Sequence, residues 1–299
     1  MSKILYFADN YGSHNAGTKI SIYNEMISRK HEIRFIDKKN IKNLLNYVSS
    51  IKPDQIWLAH SNQRLNPEVK KKLKIPVIGF GFSDPYYFSA DRFKSYDIYI
   101  TNHYSTYLKY QKIIPSIYNP TACDLRFHQP KQAPKNKDVS IIGLAKHPRF
   151  KNSILRAEIA TMLRKAGVKT YCYGRGWAKH KNNYPYIAGT DFLDVIHTSK
   201  LGLDIQESWC PMAHRMFEYL ASGIPVITAY REEVERLFDV KSEILVYHNR
   251  DELLRIVKEY LNEPEKRNWI AANGLARCRK DHNVSNRVDH ILKELGALL

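Results

Sequence analysis

Residues 207–228 read ESWCPMAHRMFEYLASGIPVIT. This stretch predicts a loop, a helix over 211–222, a tight Gly223-Ile224-Pro225 turn and a buried strand over 225–228. Pro211 sits where a helix starts, a position that tolerates the missing N–H of proline. A helix start offers free backbone N–H groups and the positive end of the helix dipole, and both suit phosphate. Arg215 and Glu218 are three residues apart and share a helix face. A cation near the phosphate end and a carboxylate one turn later suit a nucleotide, with arginine on the diphosphate and glutamate on the ribose hydroxyls. An intrahelical Arg–Glu ion pair is the plainer alternative.

Outward from this stretch, strand-like and helix-like segments alternate. In the second half, strands are expected over 138–144, 168–174, 200–205, 225–228 and 243–248. Helices are expected over 150–166, 191–198, 211–222 and 250–262, and the tail from 264 to 299 is almost wholly helical. The first half has strands over 3–8, 32–36, 54–59, 76–82 and 96–100. Its helices lie over 17–29 and 40–51, and a short one begins at Asn66-Pro67. Regular alternation implies parallel sheets covered by helices. The polar, proline-containing PKQAPKNKD segment (130–138) is the expected linker. The expected fold is α/β, with two tandem doubly wound Rossmann-like domains facing a cleft. The first is residues 1–130, the second 138–280, and the C-terminal helix, 281–299, is expected to pack back toward the first. Ligands in such sheets bind at the carboxyl ends of the strands.

The chain has 299 residues, 43% of them hydrophobic, which is enough for two cores. No apolar run reaches membrane-spanning length and the N-terminus reads as a strand, so a soluble, cytoplasmic protein is expected. Four separated cysteines (Cys123, Cys172, Cys210, Cys278) form no metal-ligand spacing. The formal charge is +17, shared as +9 in residues 1–130 and +8 in 131–299. That field favours an anionic partner such as nucleic acid, an anionic membrane surface or nucleotide phosphates. A lysine-rich composition with solvated faces accounts for it equally well.

The run His214-Arg215-Met216-Phe217-Glu218-Tyr219-Leu220-Ala221-Ser222-Gly223-Ile224-Pro225 resembles the C-terminal domain of GT-B glycosyltransferases, especially the CgeB-like spore-maturation type. The likeness continues through Asp251-Glu252-Leu253, Tyr260-Leu261, Pro264, Arg267, Ala272-Asn273-Gly274, His282 and Arg287, and spans roughly 138–292. It implies a nucleotide-sugar site in the second domain, with hexosyl or pentosyl transfer to a hydroxyl. Glu218 falls on the carboxylate that holds the donor ribose and Arg215 on the helix-end cation. Met212, Ala213 and His214 lead into that helix and are expected among the donor contacts. Gly143, Arg149 and Lys151 fall on the loop that meets the donor diphosphate, although both basic residues also read as surface charges. Tyr173, Gly174 and Arg175 fall on the loop near the base, although Gly174 and Gly176 also read as a simple turn. Many relatives in the retaining class carry a second glutamate eight residues before the ribose glutamate. Here that position is Cys210, with Glu207 three residues away.

The chain contains no Asp-x-Asp pair. Metal-independent catalysis without a cofactor is therefore expected, with Arg149, Lys151, Arg215 and a helix N-terminus carrying the diphosphate charge. In the first domain, Gly12 in the Asn10–Gly17 loop is expected near the donor. Asp84, His60 and His103 follow later strands and are the acid/base candidates, Asp84 first. An aspartate before proline is also a common turn former. The tyrosines and phenylalanines between 86 and 110 are expected mostly in the core. The acceptor is expected to be anionic: a hydroxylated base in DNA, as for phage-type DNA glycosyltransferases, or another anionic polymer. The alternatives are a cell-envelope or spore-surface transferase, and a non-catalytic nucleic-acid-binding protein on the same fold.

Overall fold

The structure, a computed structural model, describes residues 2–9, 18–59, 64–82, 90–146, 151–206 and 212–299. Gly12, His60, Asp84, Arg149, Glu207, Cys210 and Pro211 lie outside the described residues. The chain divides into two compact units. One holds Met1–Thr121 and Val284–Leu299, the other Ala122–Asn283.

The first unit is built on β1 (Ile4–Ala8), α1 (Thr18–Ser28), β2 (Ile33–Asp37), α2 (Leu44–Ile51), β3 (Gln55–Leu58), α3 (Pro67–Lys72), β4 (Val77–Gly81), β5 (Ile98–Thr101), α4 (Tyr104–Tyr110) and β6 (Ser116–Tyr118). Its six strands are all parallel, in the order β2-β1-β3-β4-β5-β6. β1 and β4 are buried along their whole length, as expected of parallel strands covered on both faces. The helix expected over 40–51 starts as a 3-10 turn over Lys38–Asn43 and becomes α-helical only at Leu44, because the Asp37 carboxylate accepts the Lys39 N–H and tightens the start. α4 and β6 have no counterpart in the sequence reading. Both are too short to show a period. Core packing takes up Phe93, Tyr96, Tyr99 and Tyr110, with the buried Arg92 guanidinium 4.8 Å from the Tyr99 ring.

The second unit contains β7 (Lys137–Ile142), α5 (Lys151–Lys165), β8 (Thr170–Tyr173), β9 (Asn183–Tyr184), α6 (Gly189–His197), β10 (Ser199–Asp204), α7 (His214–Ala221), β11 (Val226–Ala229), α8 (Glu232–Leu237), β12 (Leu245–Tyr247), α9 (Arg250–Asn262) and α10 (Pro264–Asp281). Its parallel sheet runs β12-β11-β10-β7-β8-β9. The chain reverses its direction of travel across the sheet between β7 and β10, and this is the point where doubly wound sheets open a crevice for ligands. β9 and α8 are again too short for their pattern to be read. The division between units falls before the polar 130–138 segment, because Cys123 already belongs to the second unit's core and its thiol donates to the His282 carbonyl at 3.1 Å. Lys135, within that polar segment, is tied to the His197 carbonyl at 2.7 Å.

The last helix, α11 (Val284–Leu298), returns to the first unit. Arg29 of α1 donates to the Ser285 carbonyl at 2.9 Å and pairs with Asp289. Buried Arg287 donates to the Pro120 carbonyl at 2.7 Å. No helix among the described residues is long and apolar enough to cross a membrane.

Candidate functional site

At the carboxyl end of β7 the chain runs through Gly143, Leu144 and Ala145. The loop after β8 lies directly against it. Gly143 donates to the Tyr173 carbonyl at 2.8 Å and Ala145 to the Arg175 carbonyl at 2.9 Å. Gly174 and Gly176 have φ of 139° and 82°, and a Cβ on them would fall 2.2 Å and 1.8 Å from the carbonyl oxygens of Gly143 and Ala145. Only glycine allows both the positive φ and this approach. The indole of Trp177 caps the junction by donating to the Gly143 carbonyl at 2.9 Å.

Arg156 of α5 fastens these loops to the end of β10. Its buried guanidinium donates to the Leu144 carbonyl and the Ile205 carbonyl, both at 2.8 Å. Asp204, the last residue of β10, is buried, takes the side-chain amide of Gln206 on Oδ1, and has no hydrogen-bond partner for Oδ2 among the described residues. Burial raises its pKa, against the pull of Arg215, Arg156 and Gln206.

Opposite stands α7. Its N-cap, Ala213, makes no side-chain cap hydrogen bond, and the Met216 N–H turns back to the Ala213 carbonyl at 3.2 Å. The helix is seated by Tyr219, whose ring covers Gly202 so closely that a Cβ there would lie 2.6 Å from it. The Tyr219 hydroxyl shares a 2.6 Å hydrogen bond with Ser140 of β7. Arg215 is one turn before Tyr219 on the same face, so this anchor turns the guanidinium toward β10. Its Nε lies 3.8 Å from Asp204 Oδ1. Glu218 instead faces His128, with 3.8 Å between Oε1 and Nε2. Burial pushes the Glu218 carboxyl up to about 7, with Arg215 opposing. Burial pushes His128 down to about 4, so its imidazole is neutral near pH 7. An intrahelical Arg215–Glu218 ion pair, the plainer sequence alternative, is not among the ion pairs of the described residues.

The expected donor residues therefore separate into groups. Gly143, Gly174 and Arg175 lie in the interlocked loops. Met212, Ala213, His214, Arg215 and Glu218 lie at the start of α7, the first two of them buried. Tyr173 is buried and stacks on Tyr184 with centroids 4.9 Å apart. Lys151 opens α5. Of the acid/base candidates, His103 is fully buried at the N-cap of α4, its ring nitrogens have no partner among the described residues, and burial lowers its pKa to about 4. Sequence reading missed Asp204, Arg156 and His128. Asp204 alone carried a signal, a carboxylate closing the apolar LGL run of a strand.

Residues 154–293 match the family model described as "Glycosyl transferase-like". No curated protein sequence matches the chain. Among solved structures, sucrose-phosphate synthase from Thermosynechococcus elongatus superposes with a TM-score of 0.73 at 10% identity, covering 100% of both chains. Anabaena HepE in complex with UDP-glucose gives 0.71 at 13% identity over 99% of this chain and 100% of its own. An alpha-glucosyltransferase in complex with UDP-glucose and DNA containing an abasic site gives 0.72 at 11% identity over 99% of each. The fold is the GT-B glycosyltransferase fold.

Proposed function

We propose that the chain is a glycosyltransferase that takes a sugar from a nucleoside diphosphate donor bound at the carboxyl ends of β7, β8 and β10. The observation that carries this reading is the placement of Arg215 and Glu218 on the first turns of α7. They do not pair with each other: Arg215 lies against Asp204 and Glu218 against His128, at an N-terminus whose N-cap residue makes no side-chain hydrogen bond. The positive end of the α7 dipole and Arg215 suit the diphosphate, and Glu218 suits the ribose hydroxyls, which would donate to its ionised form. The interlocked Gly143 and Gly174 loops leave backbone close to where the diphosphate and base would lie, with Arg175, Arg149 and Lys151 as further cations. In this reading fixed cations balance the diphosphate charge and no metal is needed, in keeping with a sequence that has no Asp-x-Asp.

In transfer, the bond from the anomeric carbon to the diphosphate oxygen breaks and a bond from that carbon to the acceptor hydroxyl oxygen forms. The nucleoside diphosphate leaves, and the hydroxyl proton passes to a base, which we assign to Asp84. Arg215 and the α7 N–H groups would stabilise the charge that grows on the leaving diphosphate. The +17 charge favours an anionic acceptor, and we propose a hydroxylated base in DNA.

Calorimetry with a panel of nucleoside diphosphate sugars tests the donor reading. Binding of one class is expected, and loss of it in Glu218→Ala with folding intact. No binding to any member would overturn the reading, and an unchanged affinity in Glu218→Ala would remove the ribose role. For the acceptor, a mass increase is expected in DNA containing hydroxymethylated bases and not in ordinary DNA.

A further inference from the structure

No acidic residue occurs between Glu158 and Asp191, while that interval holds six lysines and arginines. Much of this segment forms the β8–β9 edge of the second unit. Lys179 and Lys181 are exposed, and neither belongs to an ion pair among the described residues. Two aromatic rings accompany them, with Tyr184 39% and Tyr186 61% exposed. Tyr186, the more exposed of the two, does little for the core, so its placement calls for another account.

The edge is also fastened to its neighbours. The Tyr184 ring lies nearly parallel to Tyr173, and to Tyr171 at 6.3 Å and 12°. Gly174 donates to the Tyr184 carbonyl at 3.1 Å, and Arg164 of α5 holds the Asn183 side chain at 2.6 Å. An aromatic shelf already in place loses little entropy when a ligand stacks on it.

We infer that the β8–β9 edge is a nucleic-acid-binding surface, with Lys179 and Lys181 on phosphates and the Tyr184 and Tyr186 rings as stacking faces for unpaired bases. Cations without competing carboxylates suit any polyanion. The aromatic faces select among them, because bases stack and the groups of a phosphate polymer or lipid headgroup do not. The inference concerns binding, not transfer, and is independent of the donor site. If DNA is the acceptor, this surface is where its strand is gripped.

The test is fluorescence anisotropy of a labelled single-stranded oligonucleotide with the full chain over a range of salt. Lys179→Glu/Lys181→Glu should weaken binding about 10-fold or more and flatten its salt dependence. Tyr186→Ala should weaken it about 5-fold or more with the salt slope unchanged. Donor binding and the circular dichroism spectrum should be unaltered in both variants. Failure of the parent chain to bind DNA, or parent-like binding by both variants, would overturn the inference. So would equal competition by polyphosphate together with no effect of Tyr186→Ala, which would mark a plain polyanion face. DNA binding that behaves as expected in a chain that binds no nucleotide sugar would leave this surface standing and remove the donor reading.

Discussion

Arg215 directs its guanidinium across to Asp204, with Nε 3.8 Å from Oδ1, and does not pair with Glu218 three residues along its own helix. Glu218 instead lies against the neutral imidazole of His128, while Arg215 still acts on its carboxyl through space and opposes the upward push of burial. Asp204 is the carboxylate within ion-pair range of Arg215 among the described residues. Asp204→Asn should loosen this hold on Arg215 and weaken binding of a nucleoside diphosphate sugar about 3–10-fold, an effect of the order of one partly exposed charge pair. Calorimetry with the nucleoside diphosphate alone should show most of the loss, because Arg215 is assigned to the phosphates.

The Glu218 carboxyl has an ordinary pKa of 4.5 and a folded value of about 7. A carboxyl raised in this way contributes fully to stability below its unfolded pKa and loses that contribution as pH rises through its folded pKa. Glu218→Gln removes the cost of burying the charge. It should raise the melting temperature at pH 8 by a few degrees, corresponding to about 1 kcal/mol, and leave it nearly unchanged at pH 4. Donor affinity should move the opposite way: in the parent chain it rises as Glu218 ionises through about pH 7, and in Glu218→Gln it is weak and flat. Thermal melts and calorimetry across this range check both.

His103 is buried with a folded pKa of about 4 against an ordinary 6.5. Its contribution is present above pH 6.5 and lost as pH falls toward 4. His103→Leu keeps an apolar side chain in the site and cannot take up a proton. The acid limb of the melting curve between pH 6 and 4 should be shallower in this variant than in the parent.

Arg156 ties the Leu144 and Ile205 carbonyls together through one planar fork. Arg156→Met should cost about 2–4 kcal/mol of stability, since the buried Ile205 carbonyl and the half-buried Leu144 carbonyl lose this donor. Lysine offers a single ammonium and cannot span both carbonyls with the same geometry, so Arg156→Lys should rescue little of it. Chemical denaturation compares the three proteins. Donor affinity should fall in both variants, because the loops after β7 and β10 are no longer held in register.

Gly202 lies under the Tyr219 ring with no room for a Cβ. Gly202→Ala should destabilise the chain by about 1–3 kcal/mol through overpacking. It should also displace α7, and with it Arg215 and Glu218. A drop in donor affinity larger than that of an equally destabilising change on the outer face of α5 is the distinguishing readout.

The alternation of apolar runs and amphipathic segments determined two parallel sheets, because strands covered on both faces are continuous apolar runs and the helices between them must show one apolar face. The run from His214 to Pro225 located the start of α7 and the two side chains assigned to the donor, because a helix start and a three-residue spacing are local properties. Local spacing placed Arg215 and Glu218 on one face and left open whether they pair. Tertiary structure decided that. The stacking of Tyr219 on Gly202 sets the rotation of α7, and the end of β10 supplies Asp204 as the partner. The roles of Arg156 and His128 were equally out of reach, since each acts on groups far away in sequence. The acid-free interval from 159 to 190 was legible as charge alone. Only the pairing of β9 beside β8 brings Tyr184 onto Tyr171 and Tyr173 at a sheet edge, because strand pairing is a contact between segments and not a property of either one.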